Sequence, residues 1–105
     1  MEQQYRIFRA PPFDNKLISF SESIKNQIDK FEDQLANNPY VGKPLGMKWF
    51  REKRIGVLRM YYLVYEEYKA VYIVALSGKK DQQKVINTVR YFLEAYREEI
   101  RKLLT

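Results

Sequence analysis

Between Phe13 and Asn37 the apolar residues Leu17, Phe20, Ile24, Ile28, Phe31 and Leu35 recur at gaps of 3, 4, 4, 3 and 4, which is the period of a helix. Ser19, Ser21 and Ser23 cluster inside this stretch, and any of them can N-cap a second helix. The segment is therefore either one long amphipathic helix or a helical hairpin broken near Ser21. Before it, "QYRIFRA" is short and β-compatible, and Pro11-Pro12 ends it. After it, Asn37-Asn38-Pro39 stops the helix, and "VGKPLG" reads as a loop.

Three strands are expected next. Lys48 to Ile55 is the first, with Gly56 marking a turn or bulge. Val57 to Glu66 is the second, turned around Glu67-Tyr68-Lys69, and Ala70 to Leu76 is the third, closed by Ser77-Gly78. Such short connections make an antiparallel meander. In the last strand, strict alternation sends Val71, Ile73 and Ala75 to one face and Tyr72, Val74 and Leu76 to the other. Both faces are apolar, which suits a central strand covered on both sides. From Asp81, a possible cap, Val85, Val89, Phe92, Leu93, Tyr96, Ile100 and Leu103 form one helical stripe. Arg90–Glu94 and Glu98–Lys102 are i,i+4 pairs on its polar side. The order predicts a small single-domain α+β fold over residues 1–105. Its antiparallel sheet comprises the N-terminal strand plus the three-stranded meander, with an N-terminal helical region and a C-terminal helix.

Composition narrows the chemistry more than any motif does. A chain of 105 residues with 46% hydrophobic and 30% charged residues is an ordinary globular domain, able to bury roughly 60–70% of its unfolded surface. No long apolar run or signal-peptide core is present, so a cytoplasmic protein without a membrane partner is expected. The absence of Cys removes disulfides, thiolate catalysis and Cys-based zinc sites. The absence of His removes the commonest general base and transition-metal ligand. Carboxylates occur as the adjacent pairs Glu32-Asp33, Glu66-Glu67 and Glu98-Glu99, which point apart and make poor metal sites. Neither a metal nor another cofactor is expected.

Charge is unevenly placed. Lys43, Lys48, Arg51, Lys53, Arg54 and Arg59 are opposed only by Glu52, a local net charge of +5. The other 88 residues hold 13 basic and 12 acidic side chains. A basic segment on a balanced chain suggests an anion-binding face, with nucleic acid the leading ligand; the bland alternative is a solvated edge whose cations discourage aggregation. Tyr61, Tyr62, Tyr65, Tyr68 and Tyr72 crowd one hairpin. Base stacking is one use for them, but cross-strand packing is the expected one. Trp49 is expected in the core or the wall of a cleft.

The succession "KPLG … WFREKRIGVLRMYYLVYEE … AVYIVALSGKKDQ", and within it R-I-G-x-x-R-x-Y-Y at Arg54 to Tyr62, resembles the RelE/ParE superfamily of toxins from type II toxin–antitoxin modules. The likeness runs from about Tyr5 to Ile86. It implies a sheet with helices on one side and an open basic face, and a cognate antitoxin as partner. In the RelE branch it also implies metal-independent cleavage of mRNA on the ribosome. Arg59 matches that family's second-strand arginine, and Lys80 falls where a basic residue follows the last strand. Two departures stand out: Glu52 where a basic residue is common, and Ile86 where some members carry an acid–base tyrosine.

Such chemistry is physically reasonable without His. RNA cleavage needs the 2′-OH aligned with the phosphate, stabilisation of the phosphorane and two proton transfers, and the guanidinium fork suits the second task. The expected catalytic set is Arg54, Arg59 and Lys80, with Glu52 as a proton acceptor or an arginine's partner. Lys48, Arg51, Lys53 and Lys79 are expected to contact RNA. Register decides between two faces: anchored on Gly56, Glu52 and Arg54 lie beside Arg59, whereas a shift of one residue presents Arg51 and Lys53 instead. Three function classes remain open: a ribosome-dependent mRNA endonuclease, a ParE-like inhibitor of DNA gyrase, and a non-catalytic RNA- or antitoxin-binding relative.

Overall fold

The structure, a computed structural model, describes residues 4–105. Its elements run β1 (Arg6–Arg9), α1 (Pro11–Leu17), α2 (Glu22–Asn37), β2 (Lys43–Met47), β3 (Phe50–Ile55) and β4 (Leu58–Tyr65). A 3₁₀ turn (Glu66–Tyr68), β5 (Ala70–Gly78), α3 (Gln82–Tyr91) and α4 (Leu93–Leu104) complete it. The five strands form one sheet in the order β1-β5-β4-β3-β2, with β1 parallel to β5 and every other pair antiparallel. No helix of the described residues is long and apolar enough to cross a membrane.

The N-terminal helical region is the hairpin. Pro11 and Pro12 occupy the first turn of α1, where a missing N–H costs nothing, so the dipeptide that ends β1 also starts a helix. The Ser21 hydroxyl accepts from the Ile24 N–H at 3.3 Å and caps α2. Phe13, Leu17, Ile28, Phe31 and Leu35 from these helices pack against Met60, Tyr62, Val64, Val71 and Ile73. On the opposite face, Ile86, Val89 and Ile100 from α3 and α4 cover Phe50, Tyr61, Leu63, Tyr72 and Val74. Helices thus lie on both faces of the sheet rather than on one.

Several local expectations are corrected. The "VGKPLG" segment contains edge strand β2; Pro44 and Gly46 (φ +86) mask it, and the β2–β3 register shifts between Pro44 and Met47. The next strand starts at Phe50, because Lys48 and Trp49 make the turn, and Trp49 is 37% exposed. The C-terminal stripe is two helices, hinged at Phe92, whose N–H bonds to both Thr88 O and Val89 O. A straight helix over Gln82 to Leu104 would span roughly 34 Å, about the molecule's longest dimension of 35 Å. The bend turns α4 back so that Tyr96 meets Tyr72 edge-on and Ile100 enters the core. Asp81 makes no side-chain cap, and the ion pairs of α4 among the described residues are Arg101–Glu98 within the helix and Arg97–Glu67 to the 3₁₀ turn.

The last correction bears on the site. Tyr61 pairs with Ala75 but Tyr62 pairs with Ile73, leaving Val74 as an extra residue in β5. This bulge reverses the alternation beyond it. Leu76 joins the core under α1 and α2, and Ser77 turns to the face that carries Tyr61.

Candidate anion-binding site

Gly56, at φ +59, and Val57 form the two-residue turn that joins β3 to β4. That turn sets the pairing Ile55 with Leu58, Arg54 with Arg59, Lys53 with Met60 and Glu52 with Tyr61. Across β4, Arg59 pairs with Ser77. Directly opposed residues share a face, so Glu52, Arg54, Arg59, Tyr61 and Ser77 lie together on the α3 side of the sheet. Of the two registers open to the sequence, the structure adopts the one anchored on Gly56.

Like charges directly opposite one another on a sheet destabilise it. Arg54 is exposed and Arg59 half-buried, and among the described residues neither has an ion pair. They border an open cavity of about 420 Å³, together with Lys43, Glu52, Lys53 and Gln82. Its far wall is Val41 and Gly42.

Glu52 is 8% exposed. It makes no ion pair with an arginine; both its carboxylate oxygens accept from Gln82 Nε2, at 2.9 and 3.0 Å. Behind it the Tyr61 hydroxyl lies 2.9 Å from Ser77 Oγ. Burial, above all, pushes the Tyr61 phenol up; the Ser77 hydrogen bond and Arg59 oppose this, while Glu52 adds to it.

The remaining basic residues are dispersed. Arg51 points to the other face and is buried; its guanidinium donates to the carbonyls of Tyr40 (2.9 Å), Gly42 (2.6 and 3.0 Å) and Lys48 (2.7 Å). It is a strut for the loop that forms the cavity wall, which corrects its expected place among the RNA contacts. Lys53 borders the cavity, but its ammonium sits 5.2 Å from the centre of the Phe31 ring. Lys48 lies on the exposed β2–β3 turn, 4.9 Å from the Tyr40 ring centre. Lys79 and Lys80 are exposed on the turn entering α3 and do not line the cavity. Ile86 is buried at 7% exposure, so no phenol occupies that position.

Sequence reasoning missed Gln82, Gly42 and Ser77 as members of this site. Only Gly42 leaves a sequence trace, a glycine beside a basic residue; the other two arrive through the α3 contact and the β5 bulge.

No family model and no curated protein matches this sequence. Solved structures do match its fold. A doubly substituted Escherichia coli toxin RelE in the free state superposes with a TM-score of 0.71 at 14% identity, covering 84% of this chain and 97% of that one. The fold is that of the RelE toxins. RelE within the archaeal RelE–RelB complex of Pyrococcus horikoshii gives a TM-score of 0.65 at 21% identity, over 72% of this chain and 96% of that one. The toxin–antitoxin complex RelBE2 of Mycobacterium tuberculosis gives 0.63 at 22%, over 72% and 99%. Within this RelE fold, the opposed arginines stand on the β3–β4 hairpin and share the cavity with Gln82, the first residue of α3.

Proposed function

We propose that this protein is the toxin of a type II toxin–antitoxin module, a cytoplasmic endoribonuclease that cuts mRNA on the ribosome without a metal or other cofactor. The observation that carries the reading is the Arg54–Arg59 pair, opposed across two strands, without ion pairs among the described residues, and bordering a cavity. Neither guanidinium has an ion-pair partner among the described residues, and a phosphodiester would supply one. Solved RelE–RelB complexes of the same fold support an antitoxin as partner.

In this mechanism Arg54 and Arg59 hold the scissile phosphate and take up the charge that grows on the phosphorane. The 2′-oxygen attacks phosphorus, the bond to the 5′-oxygen breaks, and a 2′,3′-cyclic phosphate and a 5′-hydroxyl result. Glu52 accepts the 2′-OH proton, and the Lys80 ammonium, outside the cavity on the exposed turn entering α3, protonates the departing 5′-oxygen where the RNA runs out over that turn. Lys48, Lys53 and Lys79 extend the basic surface along the RNA.

The buried Ile86 favours a second reading, a non-catalytic domain that binds RNA or an antitoxin. Primer extension on an mRNA translated in vitro separates the two, with Arg59→Ala and a ribosome-free reaction alongside. Codon-phased cuts that need ribosomes and vanish in Arg59→Ala support the nuclease. Intact mRNA at high protein concentration overturns it and leaves the binding domain, or inhibition of DNA gyrase, to be tested.

A further inference from the structure

Glu52 is ringed by cations and bonded to none of them. Lys43 stands directly across from it on β2, Arg54 follows it by two residues on the same face, and Arg59 stands opposite Arg54. Among the described residues no ion pair joins Glu52 to any of these. Its only side-chain donor there is the neutral amide of Gln82, the first residue of α3, which spans both oxygens. A carboxylate this buried needs a hydrogen-bond donor. Whichever group supplies one decides what the neighbouring guanidiniums are left to do.

We propose that Gln82 is a positioning residue that occupies Glu52 and so keeps the guanidinium donors of Arg54 and Arg59 open for the RNA phosphate. The inference rests on the reading of this cavity as an RNA-phosphate site. An arginine in the place of Gln82 as donor would form a charge-assisted, bidentate pair with Glu52, and the same N–H groups then could not hold a phosphodiester. An amide satisfies the carboxylate without spending a cation. Its presence explains why an acidic residue is tolerated in the middle of the basic strand.

The defect made by removing Gln82 resides in the charge of Glu52 and is repaired by neutralising it. The test measures binding of a 2′-O-methylated single-stranded RNA octamer, which cannot be cleaved, to the full-length protein by fluorescence anisotropy at one fixed salt concentration. Gln82→Ala is expected to weaken binding about tenfold, the worth of one lost charge-assisted contact. Glu52→Gln binds at least as tightly as wild type, and Glu52→Gln/Gln82→Ala returns to within about twofold of Glu52→Gln. Gln82→Met keeps side-chain length without the donor, and gives the same answer should Gln82→Ala loosen α3.

Wild-type binding by both Gln82 variants overturns the proposal. So does a double variant as weak as Gln82→Ala, because Gln82 then merely fastens α3 to β3. Arg54→Ala/Arg59→Ala separates the phosphate site itself from the role of Gln82. If it binds like wild type, the phosphate-site reading falls and takes this inference with it. If binding depends on the arginines but not on Gln82, the inference alone falls.

Discussion

The Gly42 N–H donates to the Tyr62 hydroxyl at 3.0 Å, and a Cβ on Gly42 would lie 2.6 Å from that same oxygen and 2.6 Å from the Glu52 carbonyl. The cavity wall is therefore pressed against the buried face of β3 and β4 with no room for a methyl group. Gly42→Ala is expected to cost about 1–3 kcal/mol, since a fully buried tyrosine and a strand backbone must both shift. Urea denaturation measures it, and a midpoint equal to wild type would show the wall to be looser than described.

Arg59→Ala and Arg54→Ala should separate activity from stability. Cleavage of translated mRNA is expected to fall on the order of 100-fold or more for Arg59→Ala, as for loss of one preorganised donor to a transition-state oxyanion. Stability should stay within about 0.5 kcal/mol of wild type or rise, because each substitution removes one member of an opposed cation pair. Matched primer-extension rates and thermal melts test both halves.

Arg51→Ala should behave in the opposite way. Its guanidinium supplies donors to three backbone carbonyls and is 8% exposed. Truncation leaves those acceptors unsatisfied, at about 2–4 kcal/mol. Thermal unfolding should show the loss, together with faster amide exchange in the segment from Tyr40 to Lys48. A melt unchanged from wild type would remove Arg51 as the strut of that segment.

Alkali should unfold the protein through its tyrosines. Burial first, then the hydrogen bond to Glu66, pushes the Tyr40 phenol up to about 12 from 10.0. Burial is also the leading cause of the upward direction at Tyr61, Tyr62, Tyr65 and Tyr72. A folded-state pKa above the unfolded one means that the stability is fully present below pH 10 and is lost as pH rises through the folded value. Denaturant midpoints should therefore decline between pH 10 and about 12, with tyrosinate absorbance appearing in step with unfolding. Phenols that ionise well before the fold is lost would contradict this.

Much of the fold could be read along the chain. The 3,4 spacing from Leu17 to Leu35 runs from the last residue of α1 through α2; it allowed one helix or a hairpin, and the structure adopts the hairpin with Ser21, one of three candidate serines, as the cap. The site was legible where it depends on a local rule. Gly56 accepts the left-handed φ of a tight turn, and counting outward from it gives the pairing of Arg54 with Arg59, the one of the two open registers that the structure adopts. Arg51 was misplaced because a basic residue in a basic strand carries no mark of the three carbonyls that will claim it.

By itself the sequence determined the helical stripes, the three-stranded meander and the two registers open at Gly56, since these follow from periods of 3.6 and 2 and from the permissive φ of one glycine. Tertiary structure alone decided the bulge at Val74 that turns Ser77 toward Tyr61, the hinge at Phe92 and the bond from Gln82 to Glu52. Each of these is settled by how separate elements fit. The bulge adjusts β5 to β4, the hinge returns α4 to the sheet, and the Gln82 amide meets a carboxylate 30 positions away only once α3 has packed. Periodicity is a property of neighbours along the chain; the choice of partner for a buried charge belongs to the packed molecule.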